Sequence, residues 1–314
     1  MPGLIQKSGY IKPGNGGGHY AEYIATREGV ELIEAPSPSH DGGGYLEYMA
    51  QRPRSHGLFS ADGPADLEKT MEEINGHTGP VWTFVYSLKR EDAHRLGYEN
   101  SESWRKLLLA HQTELAQAMK ISPSSFRWRA AFHDEKHHPH IHMMVWSADL
   151  KQGFLTEKGI ENMRSQLSNE IFRDELLSLY QKKDLSYSQV RDAATEAMGR
   201  LIREMETGLC HSPVIAEQME TLAGMLEGHK GKKVYSYLKK PVKVQVDAIV
   251  DELAKVLEVA ECYEQWNQLR DELERYYKDV PREHLPLSQQ KEFKAIKNMV
   301  IREAERLQIG RAHV

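Results

Sequence analysis

"FHDEKHHPHIHMMVW", Phe132 to Trp146, carries five of the chain's 15 histidines. The stretches around its turn alternate in polarity: "SFRWRAAFH" (Ser125 to His133) before "DEKHHP", and "HIHMMVWS" (His140 to Ser147) after it. Such alternation reads as two β-strands, because successive side chains on a strand point to opposite faces. The polar, proline-ended turn suits a hairpin loop. On the second strand His140 and His142 point one way, and Ile141, Met143 and Val145 the other. On the first, Arg127, Arg129, Ala131 and His133 share one face, and Phe126, Trp128, Ala130 and Phe132 the other. Pairing the strands puts His133 beside His140 and His142.

Three neutral imidazoles with open coordination positions bind a divalent metal and leave room for substrate oxygens. Arg127 and Arg129, along the same strand face, suit an anionic substrate such as a phosphodiester. Glu135, in the turn, is placed to orient a ligand or to add a carboxylate oxygen. His137 and His138 read as bystanders. For His140 and His142 alone, scattered surface histidines or a structural metal site explain the pattern as well; the third histidine at matching parity argues against both.

Composition narrows the class. The 314 residues are 40% hydrophobic and 28% charged, as in a folded, water-soluble protein of one large or two ordinary domains. No apolar run approaches the ~20 residues that span a bilayer, so no membrane insertion is expected. "MPGLIQKSGYIKPG" lacks the apolar core of a signal peptide. Cys210 and Cys262 form no CxxC pair, which fits a reducing cytoplasm and neither a disulfide framework nor a cysteine metal site. The formal net charge of −5 does not advertise nucleic-acid binding, which leaves any such role to local patches. One candidate is "HKGKKVYSYLKKPVK", His229 to Lys243, with six lysines, two tyrosines and no acid. Lys232, Lys233, Lys239 and Lys240 are its candidate phosphate contacts, and the tyrosines can stack on bases. A solvated loop and helix start would look the same.

Residues 1–60 are rich in Gly, Pro and Ser, with loops at "KPGNGGGH" (Lys12 to His19) and "APSPSHDGGG" (Ala35 to Gly44). Two short amphipathic segments share Y-x-E-Y-x-A-x-R, one from Tyr20 to Arg27 and one from Tyr45 to Arg52. Helices are expected at Gly63–Gly76, Ser101–Lys120 and Glu157–Lys183, and a buried strand at Pro80–Leu88. From Ser186 onward the patterns are helical: Ser188–Glu206, Pro213–Glu227, Pro241–Tyr277 with breaks, and Ser288–Leu307. The expected division is a domain over 1–185 and a helical region over 186–314.

The spacing H-x6-H-x-H in "HDEKHHPHIH" resembles the histidine motif of the HUH endonucleases, specifically conjugative relaxases of the MobA/MobL (MobP) class. "GYIKPG" followed by "YIATREGVELI", then "RSHGLFS" and "VWTFVYSLKREDAHRLGY", resemble one branch of that class. The likeness covers roughly residues 1–180 and runs on through "KKVYSYLKKPVK" and "EFKAIKNMVIREA". It implies an α+β fold, a two-layer sandwich whose central antiparallel sheet carries the histidines. It implies Mn²⁺ or Mg²⁺ as cofactor, and single-stranded and supercoiled DNA at a transfer origin as substrate. Accessory mobilization proteins and a coupling ATPase are implied as partners. A tyrosine near the N-terminus would attack one strand, stay linked to the 5′ phosphate, and rejoin the strand in reverse. Three nitrogen ligands favour Mn²⁺, Co²⁺, Ni²⁺ or Zn²⁺ over Mg²⁺ in binding. Two features depart from the class: the net charge is acidic, and no unique motif marks the nucleophile. Tyr10, Tyr20, Tyr23, Tyr45 and Tyr48 are all candidates. Tyr23 is preferred, because Arg27 lies one helical turn later and can help hold the attacked phosphate. A rolling-circle replication initiator, a phosphoester hydrolase without covalent intermediate, and a structural metal protein are the alternatives.

Overall fold

The computed structural model describes residues 3–12, 17–32, 57–208, 211–227, 229–277 and 283–311. Tyr45, Tyr48 and the rest of the second Y-x-E-Y segment lie outside them. The chain packs as two compact units: Met1–Asp174 with Arg275–Asp279, and Glu175–Glu274 with Val280–Val314.

The first unit is built on a six-stranded antiparallel sheet in the order β1-β4-β6-β5-β2-β3. The strands are β1 (Ile5–Ile11), β2 (Leu58–Ser60), β3 (Gly63–Pro64), β4 (Val81–Ser87), β5 (Phe126–His133) and β6 (His140–Ser147). The expected hairpin is therefore present, with His133 directly opposite His140 and Ala131 opposite His142. One sheet face is apolar: Phe84, Tyr86, Trp128, Phe132, Ile141, Met143 and Val145 are buried on it. Four helices follow in chain order among these strands and after them: α3 (Arg90–Leu96), α4 (Ser101–Ala110), α5 (Gln112–Ala118) and α6 (Glu157–Ile171). Trp128 reaches Gln112 of α5 at 3.2 Å, and Gln6 of β1 reaches the Ile160 carbonyl of α6. Burying each large side chain of this face stabilises the unit by roughly 1.5–3 kcal/mol.

The histidine face is covered in part by α1 (Gly17–Thr26) and α2 (Leu67–Asn75). Ala21, Ile24 and Ala25 of α1 and Ile74 of α2 form a core with Val81, Ala131, Met144 and Trp146. The helices meet closely: a Cβ on Gly18 would stand 2.5 Å from the Asn75 side chain, whose oxygen accepts from the Gly18 amide. Asp66 caps α2 by accepting from the Lys69 amide at 3.0 Å. The expected Gly63–Gly76 helix is thus shorter, because Gly63 and Pro64 pair with β2 first.

Helix boundaries moved elsewhere too. Ser101–Lys120 breaks at His111, where the backbone leaves helical angles. The expected Gly-rich loop through His19 ends earlier, since α1 starts at Gly17. Most visibly, α7 runs unbroken from Arg173 to Thr207 through Ser186, and the break lies at Phe172 instead. Leu176, Leu179, Ser186, Val190 and Ala194 carry one buried stripe across that point, so packing overrides the local serine and aspartate.

The second unit is helical among the described residues: most of α7, then α8 (Pro213–Glu227), α9 (Lys240–Leu253), α10 (Leu257–Glu274) and α11 (Lys294–Arg311). Trp266 and Phe293 sit edge to face at 5.0 Å in its core, with Met198, Met219, Val246, Ile249 and Val300. No described helix is long and apolar enough to cross a membrane.

Candidate metal centre

The site is assembled by a tight local path. After α1 the chain turns at Gly29, whose φ of 86° only glycine adopts without strain. Val30 then bridges His133, the Glu31 amide donates to the Phe132 carbonyl at 2.8 Å, and the Asp134 amide donates to Gly29 at 2.7 Å. The end of α1 is thereby fastened to the end of β5. Tyr20, Ile24 and Arg27 follow helical spacing and face the histidines.

The three rings cluster with centroids 4.8 to 5.2 Å apart. One nitrogen of each lies within 4.8 Å of those of the other two. His133 is fully buried. Its Nε2 donates to the Ile24 carbonyl at 2.8 Å, which fixes the tautomer and leaves Nδ1 bare. That Nδ1 is buried without a hydrogen-bond partner, an arrangement that costs free energy unless a further group fills it. His140 Nδ1 donates to the His138 carbonyl at 2.9 Å, freeing Nε2. His142 Nδ1 meets the Tyr20 hydroxyl at 3.2 Å, and Arg27 Nη1 stands 3.4 Å from Nε2. A guanidinium only donates, so this Nε2 is also an acceptor. Two of these nitrogens, His133 Nδ1 and His140 Nε2, are bare and the third, His142 Nε2, faces only the Arg27 guanidinium. With backbone or tyrosine partners behind them, the three can form the donor set of a divalent cation site.

The sequence matches the MobL relaxases over residues 1–314. The chain belongs to the MobL relaxase family. No curated protein and no solved structure matches it. It is thus a DNA-nicking protein of mobilization and conjugation, and the histidine cluster of this relaxase can hold a metal.

Electrostatics keep the cluster ready. Burial, offset in part by the Ile24 hydrogen bond, holds His133 down at about 4; the neighbouring His140 and Arg27 push the same way. Burial first, then His133, His140 and Arg27, holds His142 down at about 3. His140 is lowered as well, chiefly by burial. All three imidazoles are therefore neutral, the form that can ligate a metal, throughout the neutral range. The unfolded chain protonates its histidines near 6.5. Between about 6.5 and about 4 the unfolded state binds more protons, so the metal-free protein loses stability as pH falls through that window. The slope approaches ~1.4 kcal/mol per pH unit for each of His133 and His142, and His140 acts in the same direction. Thermal melts in chelator at pH 7.5 and pH 5 are expected to differ accordingly, with a shallower dependence for His142→Ala; identical melting temperatures for wild type at both pH values would contradict it.

The other candidate residues divide. Tyr23 and Arg27 are at the site: Tyr23 is 52% exposed, and Arg27 Nη1 donates to its hydroxyl at 3.3 Å. The Glu135 carboxylate accepts from Arg27 Nη2 at 3.3 Å, and its charge acts on the nearby His140. Tyr10 points to the opposite sheet face, against Trp82 at 5.1 Å. Arg129 shares the histidine face but stands four residues from His133, about 13 Å along the strand. Its guanidinium engages Thr70 and Glu73 of α2 and lies over Trp146. Arg127, farther out, donates to the carbonyls of Ser124 and Phe126. Neither arginine lines the triad; Arg27 does.

In the second unit, Lys232, Lys239 and Lys240 are exposed, whereas Lys233 pairs with Glu305 at 3.0 Å. Tyr237 is 67% exposed with Lys232 over its ring, but the Tyr235 hydroxyl donates to Asp247 at 2.8 Å. The nearly buried Lys297 lies 4.0 Å from the Tyr235 ring centroid and pairs with Asp247 at 2.7 Å. Tyr20 as a histidine partner was not legible beforehand; its place in the first Y-x-E-Y segment was the only signal.

Proposed function

We propose that this relaxase cuts one DNA strand at a transfer origin, with Tyr23 as nucleophile and a divalent cation held by His133, His140 and His142. The observation that carries this is the seating of α1: Tyr20, His142, Arg27 and Tyr23 form a continuous chain of contacts at 3.2 to 3.4 Å. A nucleophile, a phosphate-binding cation and a metal ligand are thereby brought within reach of one phosphate.

The assignment to Tyr23 rests on access. Its exposed hydroxyl can meet a DNA strand, and Arg27 beside it suits the attacked phosphate. Tyr20 instead is tied to His142, and burial, with Tyr23 nearby, holds its hydroxyl above the usual tyrosine range. In the reaction so proposed, the Tyr23 oxygen bonds to phosphorus and the bond to the 3′ oxygen breaks. Tyr23 loses a proton and the 3′ oxygen gains one. One phosphodiester replaces another, so reversal rejoins the strand without ATP. His133, His140 and His142 would hold a Mn²⁺ or Mg²⁺ ion, which would supply Lewis acidity toward the scissile phosphate. Glu135 holds Arg27 in place through their ion pair.

Lys232, Lys239 and Lys240 are read as phosphate contacts of the second unit, with accessory mobilization proteins and a coupling ATPase as further partners. Changing these three lysines to Gln is expected to lower the salt slope of origin binding by about 0.7–0.9 each. Lys233→Gln is expected to change it little, since Glu305 already neutralises that charge. An unchanged slope in the triple variant returns the segment to a solvated loop.

The deciding assay is incubation with Mn²⁺ and supercoiled DNA carrying the element's own origin. Relaxed circles with protein on the 5′ end are expected. Nicked circles with a free 5′ phosphate would instead make the site a metal-dependent phosphoester hydrolase.

A further inference from the structure

The histidine face continues beyond α1 onto β1, a strand absent from the sequence-based expectations. Register places Lys7 opposite Val85, and Val85 opposite His142. One row of side chains therefore runs Lys7, Val85, His142. Neighbouring strands lie ~4.8 Å apart, so the Lys7 and His142 Cα atoms stand about 10 Å apart. The next row along, Ile5, Ser87, His140 and His133, shares the same face.

Twelve positions of β1, β4 and β6 are placed on this face by the register. On β1 they are Ile5, Lys7, Gly9 and Ile11; on β4 Val81, Thr83, Val85 and Ser87; on β6 His140, His142, Met144 and Trp146. Lys7 is the one permanent charge among them, and no acid accompanies it. It is exposed, and β1 is the sheet edge, paired only with β4 among the described residues. No ion pair engages Lys7 among the described residues. A sheet edge commonly carries a lysine to discourage edge-to-edge pairing. That need is met by either face, whereas this lysine stands on the face and in the row of a triad histidine.

We infer that Lys7 binds a backbone phosphate adjacent to the scissile one, so that the strand runs from the triad across Val85 to the edge of the sheet. The inference rests on the nicking reading above. The site takes a phosphodiester because its charge is a single flexible ammonium, which meets phosphate as a point charge without reading a base. Ile5, 40% exposed in the adjoining row, offers the same strand an apolar contact.

The test uses the full chain and single-stranded origin oligonucleotides in which one phosphate at a time is replaced by a neutral methylphosphonate. Wild type is expected to lose affinity several-fold when the neutral linkage lies next to the scissile position. Lys7→Gln is expected to bind the unmodified oligonucleotide as weakly as that, to lose nothing further at that linkage, and to show a salt slope lower by about 0.7. Lys7→Arg is expected to restore both. In nicking, Lys7→Gln should raise KM with kcat unchanged, because the contact is made equally before and during the reaction. Overturning results are an unchanged slope, or equal losses in Lys7→Gln and wild type at every linkage. Failure of the nicking reading looks different: wild type would bind the oligonucleotide yet form no covalent adduct.

Discussion

Alanine in place of His140 or His142 is expected to lower nicking by at least about 10²–10³-fold while the protein stays folded. The magnitude is that of removing a preorganised stabiliser of charge at the reacting phosphate. The fold should survive because the triad lies on a finished sheet. Ile141, Met143 and Val145, which alternate with the two histidines, are fully buried on the opposite face and keep β6 in place. His140 is half-buried and its substitution leaves little void. His133 is a poorer test, since it is fully buried and its Nε2 ties β5 to the Ile24 carbonyl, so His133→Ala would also loosen α1. Calorimetric titration with Mn²⁺ alone is the direct check on the double variant His140→Ala/His142→Ala. Undiminished Mn²⁺ affinity would sink the assignment whatever the activity shows.

Tyr23→Phe is expected to abolish the covalent DNA adduct, since the atom lost is the one proposed to bond to phosphorus. Binding of the origin and of Mn²⁺ should remain, because Tyr23 is exposed and, among the described residues, its ring and hydroxyl meet Arg27 and the Tyr20 ring rather than the histidines. Tyr20→Phe should behave differently. Its hydroxyl backs His142 at 3.2 Å, and loss of such a partner costs roughly 10- to 100-fold in metal affinity or activity without removing the nucleophile. Raising Mn²⁺ should then recover much of the Tyr20→Phe rate and none of the Tyr23→Phe rate. Mass spectrometry of the protease-digested adduct locates the nucleotide. Its recovery on Tyr20, or adduct formation by Tyr23→Phe, would reverse the two roles and leave the metal site as it is.

Much of the site was legible in the sequence for one physical reason: strand parity is local. The alternation on either side of "DEKHHP" was enough to put His133, His140 and His142 on one face, and the structure pairs them as that parity requires. The buried strand at β4 was legible from its run of β-branched and aromatic residues, and the helices of the second unit from a periodicity written into contiguous residues. The edge strand β1 was not. "IQKSGYI" buries no residue fully and carries Gly9, so it looks like loop. Gly9 is there because a Cβ would come within 2.6 Å of the Thr83 hydroxyl on β4, a contact between residues 74 positions apart.

What only tertiary structure decided is which charges serve which site. Arg127 and Arg129 have the right parity, but strand rise carries them away from the triad, and α2 takes the Arg129 guanidinium. Arg27 reaches His142 across 115 positions, Glu135 turns to Arg27 across 108, and Lys233 is neutralised by Glu305. A sequence specifies which side of an element a residue occupies, because that depends on its neighbours in the chain. Whether a charge is spent on a partner or left for DNA depends on distances that exist only after packing.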